Sequence, residues 1–173
     1  IAFPFPVPKA ASMQTRPLGR SGIAVPPIVF GGNVFGWTID KDASFRMLDA
    51  CVEKGLNAID TADVYSRWVP GHAGGESETI IGEWLKARGR RRDVLILTKC
   101  GMEMPDGKGL SAAWIARAVD DSLKRLGTDV IDLYQAHRDD ESTPLEETLG
   151  AYAKLIKAGK VRAIGASNYS AAR

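Results

Sequence analysis

The sequence predicts an α/β fold, a parallel sheet of the closed (β/α)8 barrel kind, and three observations lead there. From Ile28 onward, short apolar runs alternate five times with segments of helical periodicity, the order expected of parallel strands joined by right-handed helical crossovers. The segments after the strands are long and polar while the turns back into them are short, which places an active face at the strand C-termini. Finally, the glycine-rich stretch after the first strand, Gly31-Gly32-Asn33-Val34-Phe35-Gly36, carries Asn33 where a dinucleotide-binding fingerprint needs its second glycine. That argues against the competing open, doubly wound sheet.

Taken in order, Gln14 to Val25 reads as a small β-hairpin around the turn-rich Gly19-Arg20-Ser21-Gly22. Ile28–Phe30 is the first barrel strand. Lys41–Lys54 is a helix with Phe45, Leu48, Cys51 and Val52 on one face and Gly55 as its stop. Ala58–Asp60 is the second strand, followed by a helix over Glu76–Ala87 stapled by Ile80, Ile81, Trp84 and Leu85. Val94–Thr98 is a continuous apolar strand, as expected when both faces are buried. Ser111 caps a helix that runs to Leu126 and stops at Gly127. Val130–Gln135 is the fourth strand, Pro144 opens the next helix, and Gly159 ends it. Val161–Gly165 is the fifth strand, and Ser170–Arg173 reads as the first turn of another helix.

Composition narrows the function. The chain has 173 residues, of which 45% are hydrophobic and 25% charged, the profile of one ordinary globular domain. A net charge of +2 is too small to suggest nucleic acid as a partner. The basic run Lys86 to Arg92 reads as a solvated helix C-terminus, where cations suit the helix dipole. No apolar run approaches the length of a membrane span. Cys51 and Cys100 lack the spacing of a disulfide framework, which points to reduced thiols and a cytoplasmic setting. Residues 1–12 are apolar but proline-interrupted and lack a basic leading segment, so they read as a disordered extension rather than a signal peptide. Met13 reads as a candidate natural start, and 13–173 are expected to make the barrel portion.

The chemistry gathers where the second, third and fourth strands end, at Asp60, Lys99 and His137. Neighbouring parallel strands lie about 4.8 Å apart, so their ends converge, with Tyr65 overhanging from the second loop. A carboxylate on a buried strand needs a cationic partner, and Lys99 supplies it. An ammonium beside a phenol stabilises the phenolate, which suits Tyr65 to protonate a carbonyl oxygen as hydride reaches the carbon. His137 is placed to hydrogen-bond the same oxygen. No side chain donates hydride, so a cofactor such as a nicotinamide is required. No zinc-type spacing of His and Cys is present. His72, in a glycine-rich loop, reads as an ordinary satisfied residue.

Four stretches closely resemble the aldo-keto reductase family: Asp60-Thr61-Ala62-Asp63-Val64-Tyr65, Leu97-Thr98-Lys99, Asp132-Leu133-Tyr134-Gln135-Ala136-His137-Arg138 and Ile164-Gly165-Ala166-Ser167-Asn168. The resemblance implies a TIM barrel and reduction of a small-molecule aldehyde or ketone with NADPH. It implies the catalytic tetrad Asp60, Tyr65, Lys99 and His137, with Tyr65 as general acid. It also implies that Ser167 and Asn168 hold the nicotinamide carboxamide, and that Gly32, Asn33 and Asp60 lie where the family contacts the cofactor. The similar branch includes aryl-alcohol-dehydrogenase-like reductases and potassium-channel β subunits. In the channel subunits the position of His137 is commonly Asn, so the histidine favours an enzyme over a nucleotide-sensing subunit. Ser66 stands where the family commonly has Gly. The family barrel has eight strands and this chain five, so the sequence is expected to be a truncated barrel with open edges at Ile28–Phe30 and Val161–Ile164. Residues 1–173 alone are then expected neither to bind NADPH usefully nor to reduce carbonyls.

Overall fold

A computed structural model describes residues 14–173; the expected N-terminal extension and Met13 lie outside the described residues. Strands β1 (Arg16–Pro17) and β2 (Ala24–Val25) pair antiparallel as a hairpin. Then follow β3 (Phe30–Gly31), α1 (Lys41–Glu53), β4 (Ala58–Asp60), α2 (Glu76–Arg88), β5 (Leu95–Cys100), α3 (Ala112–Leu126), β6 (Ile131–Ala136), α4 (Leu145–Lys157) and β7 (Val161–Ala166). The last five strands form one parallel sheet in the order β3-β4-β5-β6-β7. The order never reverses, whereas a doubly wound sheet turns back at a switch point. This is the progression of a (β/α)8 barrel wall with five units present.

The two faces of the sheet follow the period-2 alternation of strands. Along β5, Ile96 and Cys100 join the large core that the helices cover, together with Ile59 and Tyr134 of the neighbouring strands and Trp84 and Ile115 of the helices. Leu95 and Leu97 point to the inner face, where Ala58, Leu133 and Ala163 join them. Ile23, Leu18 and Val25 of the hairpin pack on this second cluster, so the hairpin covers the strand N-terminal end of the inner face. The C-terminal end carries Asp60, Lys99 and Gln135.

Helix limits have local causes. Asp40 accepts from Ala43 N at 2.8 Å to cap α1, and Ser111 accepts from Trp114 N at 3.3 Å to cap α3. Gly127 stops α3 in the left-handed conformation, φ 61°. The basic run is less solvated than its charge suggests. Arg88 pairs with Asp49, and Arg91 lies between Asp132 and the carbonyls of Val94 and Val130.

Several boundaries shift from expectation. The first barrel strand begins at Phe30, and Ile28 is 60% exposed. Pro26 and Pro27 have no N–H to offer a ladder, and pairing with β4 begins at Phe30, beyond the exposed Ile28 and Val29. β5 extends through Cys100, placing Lys99 inside the strand rather than just after it. Residues 170–173 make a turn, with Arg173 N bonded to Ser170 O at 3.1 Å. No helix among the described residues is long and apolar enough to cross a membrane, and Cys51 and Cys100 are free and buried.

Candidate active site

Register brings the strand-end residues together. Lys99 pairs with Gln135 across β5 and β6, while Asp60 pairs with Leu97 across β4 and β5. Asp60 and Lys99 are therefore inward-facing diagonal neighbours. The ladders continue past the strand ends: Asp63 N bonds Lys99 O, His137 N bonds Cys100 O, and Ser167 N bonds Ala136 O. Each loop thus leaves the sheet from a fixed point.

Lys99 is the hub. Its side chain is 8% exposed, and its ammonium donates to Asp60 Oδ2 at 2.5 Å, to Thr61 O at 2.8 Å and to Tyr65 Oη at 3.0 Å. An ammonium has three donors, and all three are engaged. Asp60 is held from its other oxygen by Gln135 Nε2 at 3.4 Å. Tyr65 Oη accepts from Lys99, so its own proton is free for a further partner. The His137 ring lies edge-on to the Tyr65 ring, centroids 5.7 Å apart. Burial, with the nearby cations Lys99 and Arg138, pushes the His137 pKa down to about 4. The imidazole is neutral at physiological pH, and its buried Nδ1 has no hydrogen-bond partner.

Gly32 sits buried behind Asp60. A Cβ there would lie 3.1 Å from both Asp60 O and Ser77 Oγ, tighter than side chains normally pack. Ser77 Oγ donates to Gly32 O at 2.7 Å, so the 2.8 Å contact between Thr61 and Ser77 has Thr61 as the donor. Asn33 is exposed in a short 3-10 turn over Gly32–Val34. At the end of β7, Asn168 adopts φ 57° and donates to His137 O at 2.8 Å and to Ser167 Oγ at 3.0 Å. Asn168 Oδ1 and the Ser167 hydroxyl proton have no partner among the described hydrogen bonds, so an acceptor and a donor stand side by side next to His137.

The structure adds features the sequence reading missed. Trp37 and Trp68, 52% and 49% exposed, meet edge-on at 5.5 Å, and Trp68 meets Tyr65 at 6.1 Å. An exposed tryptophan in a loop has no periodicity to give it away. Beneath the tetrad lies a second ionic group. Glu78, fully buried, accepts from Thr98 Oγ1 at 2.6 Å and from Arg125 Nε at 2.7 Å. Asp63, 1% exposed, has no partner for either carboxylate oxygen, and burial and the neighbouring Glu78 raise its pKa to about 8.

Residues 27–173 match the Aldo/keto reductase family. An uncharacterized 11.2 kDa protein of Pseudescherichia vulneris is 58% identical over 93 residues, covering 53% of this chain and 90% of that protein. A probable voltage-gated potassium channel subunit beta of Oryza sativa subsp. japonica is 39% identical, covering 92% of this chain and 48% of its own length. Among solved structures, the aldo-keto reductase AKR11C1 from Bacillus halodurans in its holo form superposes with TM-score 0.79 at 37% identity. That match covers 90% of this chain and 50% of the other. The chain thus spans about half the length of the channel subunit and of the Bacillus halodurans protein.

Proposed function

Because the chain belongs to the aldo/keto reductase family, we propose that the full-length protein reduces aldehydes or ketones to alcohols with NADPH, Tyr65 being the proton donor. One observation carries this reading: the Lys99 ammonium is directed at once to Asp60, Thr61 O and Tyr65 Oη. The Lys99 ammonium, held by Asp60, faces the oxygen that becomes a phenolate when Tyr65 gives up its proton. Because Tyr65 Oη accepts from Lys99, the phenolic hydrogen is left to be given to a bound carbonyl oxygen. The neutral His137 imidazole orients the substrate oxygen without adding a competing cation.

The nicotinamide, when bound, supplies hydride to the carbonyl carbon. Ser167 and Asn168 fit its carboxamide, since the free hydroxyl proton and the free Oδ1 complement an amide carbonyl and an amide N–H. Gly32, Asn33 and Asp60 complete the proposed cofactor contacts, Asn33 exposed, Asp60 half-buried and Gly32 buried behind it. The preference for NADPH over NADH and a cytoplasmic setting belong to this proposal, the second supported by two free, buried cysteines. The exposed Trp37–Trp68 pair suits a carbonyl compound with an apolar body. His137 favours turnover over pure nucleotide sensing.

The test is consumption of NADPH or NADH by the full-length protein, followed by absorbance, with a panel of aliphatic and aromatic aldehydes. Turnover with NADPH is expected. Tight NADPH binding without turnover of any aldehyde would move the protein to the regulatory class.

A further inference from the structure

A proton donor carried on a loop needs its backbone fixed, and the residue after Tyr65 is built to do so. Ser66 is buried and has φ 72°, a region that residues other than glycine rarely occupy. Its hydroxyl donates to Phe35 O at 2.6 Å. Its carbonyl accepts from Val69 N at 3.0 Å and lies 3.2 Å from His72 Nδ1. A carbonyl only accepts, so Nδ1 carries the proton in this bond. A glycine would take the same backbone shape without strain; what serine adds is the hydroxyl.

That hydroxyl crosses between loops. Phe35 belongs to the segment after β3, two residues before Trp37, whereas Ser66 belongs to the segment after β4 that also carries Tyr65 and Trp68. The two loops are therefore joined twice, by the Ser66–Phe35 hydrogen bond and by the Trp37–Trp68 edge contact at 5.5 Å. His72 closes the second loop back onto Ser66.

We propose that Ser66 and His72 are positioning residues, Ser66 tying the β3–α1 loop to the β4–α2 loop and His72 bracing the second loop on Ser66, which together hold Tyr65 Oη on Lys99 and the two tryptophans in contact. This deepens the reading of Tyr65 as proton donor and rests on it for its catalytic consequence. The clamp itself does not depend on it.

Ser66→Gly is the informative variant, because it deletes the tie and relieves the positive φ together. Its thermal midpoint should stay close to that of the parent, while kcat falls on the order of tenfold, as small misplacements of a reacting group do, and KM for NADPH is unchanged. Ser66→Ala keeps the strain and loses the bond, so both kcat and the midpoint should fall. His72→Ala should lower kcat, and His72→Gln, which retains a donor, should restore part of it. Circular dichroism of the tryptophan pair, assigned by its loss in Trp68→Phe, reads the clamp without turnover and should weaken in Ser66→Gly. Parent-level kcat in Ser66→Gly overturns the positioning role, whatever the dichroism shows. If the parent reduces no carbonyl, the functional reading fails, and an unchanged dichroism signal in Ser66→Gly would then overturn the clamp as well.

Discussion

Lys99 is the residue on which the site converges, and removing its charge has two separable effects. Lys99→Met leaves the Asp60 carboxylate without its cation. Asp60 keeps 24% side-chain exposure, so the cost falls below that of a fully buried orphan, roughly 1–3 kcal/mol. Carbonyl reduction falls with it, since the phenolate loses its stabilising charge. An unchanged melting temperature together with unchanged activity would remove Lys99 from the site. Two other residues contribute pH dependences of opposite sign to stability. His137 has a folded pKa of about 4 against an ordinary 6.5. Between those values the unfolded chain binds a proton that the folded one refuses, so stability is lost as pH falls from 6.5 toward 4. Asp63 acts with opposite sign. Its pKa rises from 3.8 to about 8 on folding, so the folded chain keeps a proton that the unfolded chain has lost, and stability declines as pH rises through that window. From pH 6.5 to 8 only the Asp63 effect remains of the two. Thermal midpoints should decline across that interval and flatten in Asp63→Asn; the same slope in both proteins would show that Asp63 has a partner.

At the scale of elements, α2, β5 and α3 are held in register by the buried Glu78 and Thr98 and the half-buried Arg125. Arg125→Met leaves the Glu78 carboxylate buried with its cation gone. The expected loss is about 3–5 kcal/mol, read as a lower denaturation midpoint; a change under about 1 kcal/mol would show that water compensates the carboxylate. The elements also show what the sequence reveals. Ala58–Asp60 stands where it was expected, because an apolar run between Gly55 and a polar loop leaves a strand few other places. Asp60, Lys99 and His137 were legible as strand-end residues for the same reason. β3 starts later than the apolar Ile28 and Val29 suggest, because these two side chains stay exposed and pairing begins at Phe30. The left-handed Ser66 was not legible, since a serine does not announce positive φ as a glycine does. His72 looked ordinary because its bond is to a backbone carbonyl that only the folded loop brings near.

At the scale of the whole molecule, the first and last strands of the parallel sheet, β3 and β7, each have one paired side among the described residues. Ile28, Val29, Ile164, Leu149 and Ile156 are exposed around those edges and the adjoining helix. Unpaired strand edges flanked by apolar side chains recruit other strands, so a chain of these 173 residues alone should self-associate, which light scattering would report; a monodisperse monomer at micromolar concentration would contradict this. The central claim concerns Tyr65, because the other groups of the site act through its proton. The most direct measurement is steady-state carbonyl reduction by the full-length Tyr65→Phe protein beside its parent, with NADPH affinity measured in both. A fall of about 10²–10⁴ in kcat, the usual worth of a general acid, with NADPH affinity nearly intact, is the predicted result. Turnover close to that of the parent would contradict the account.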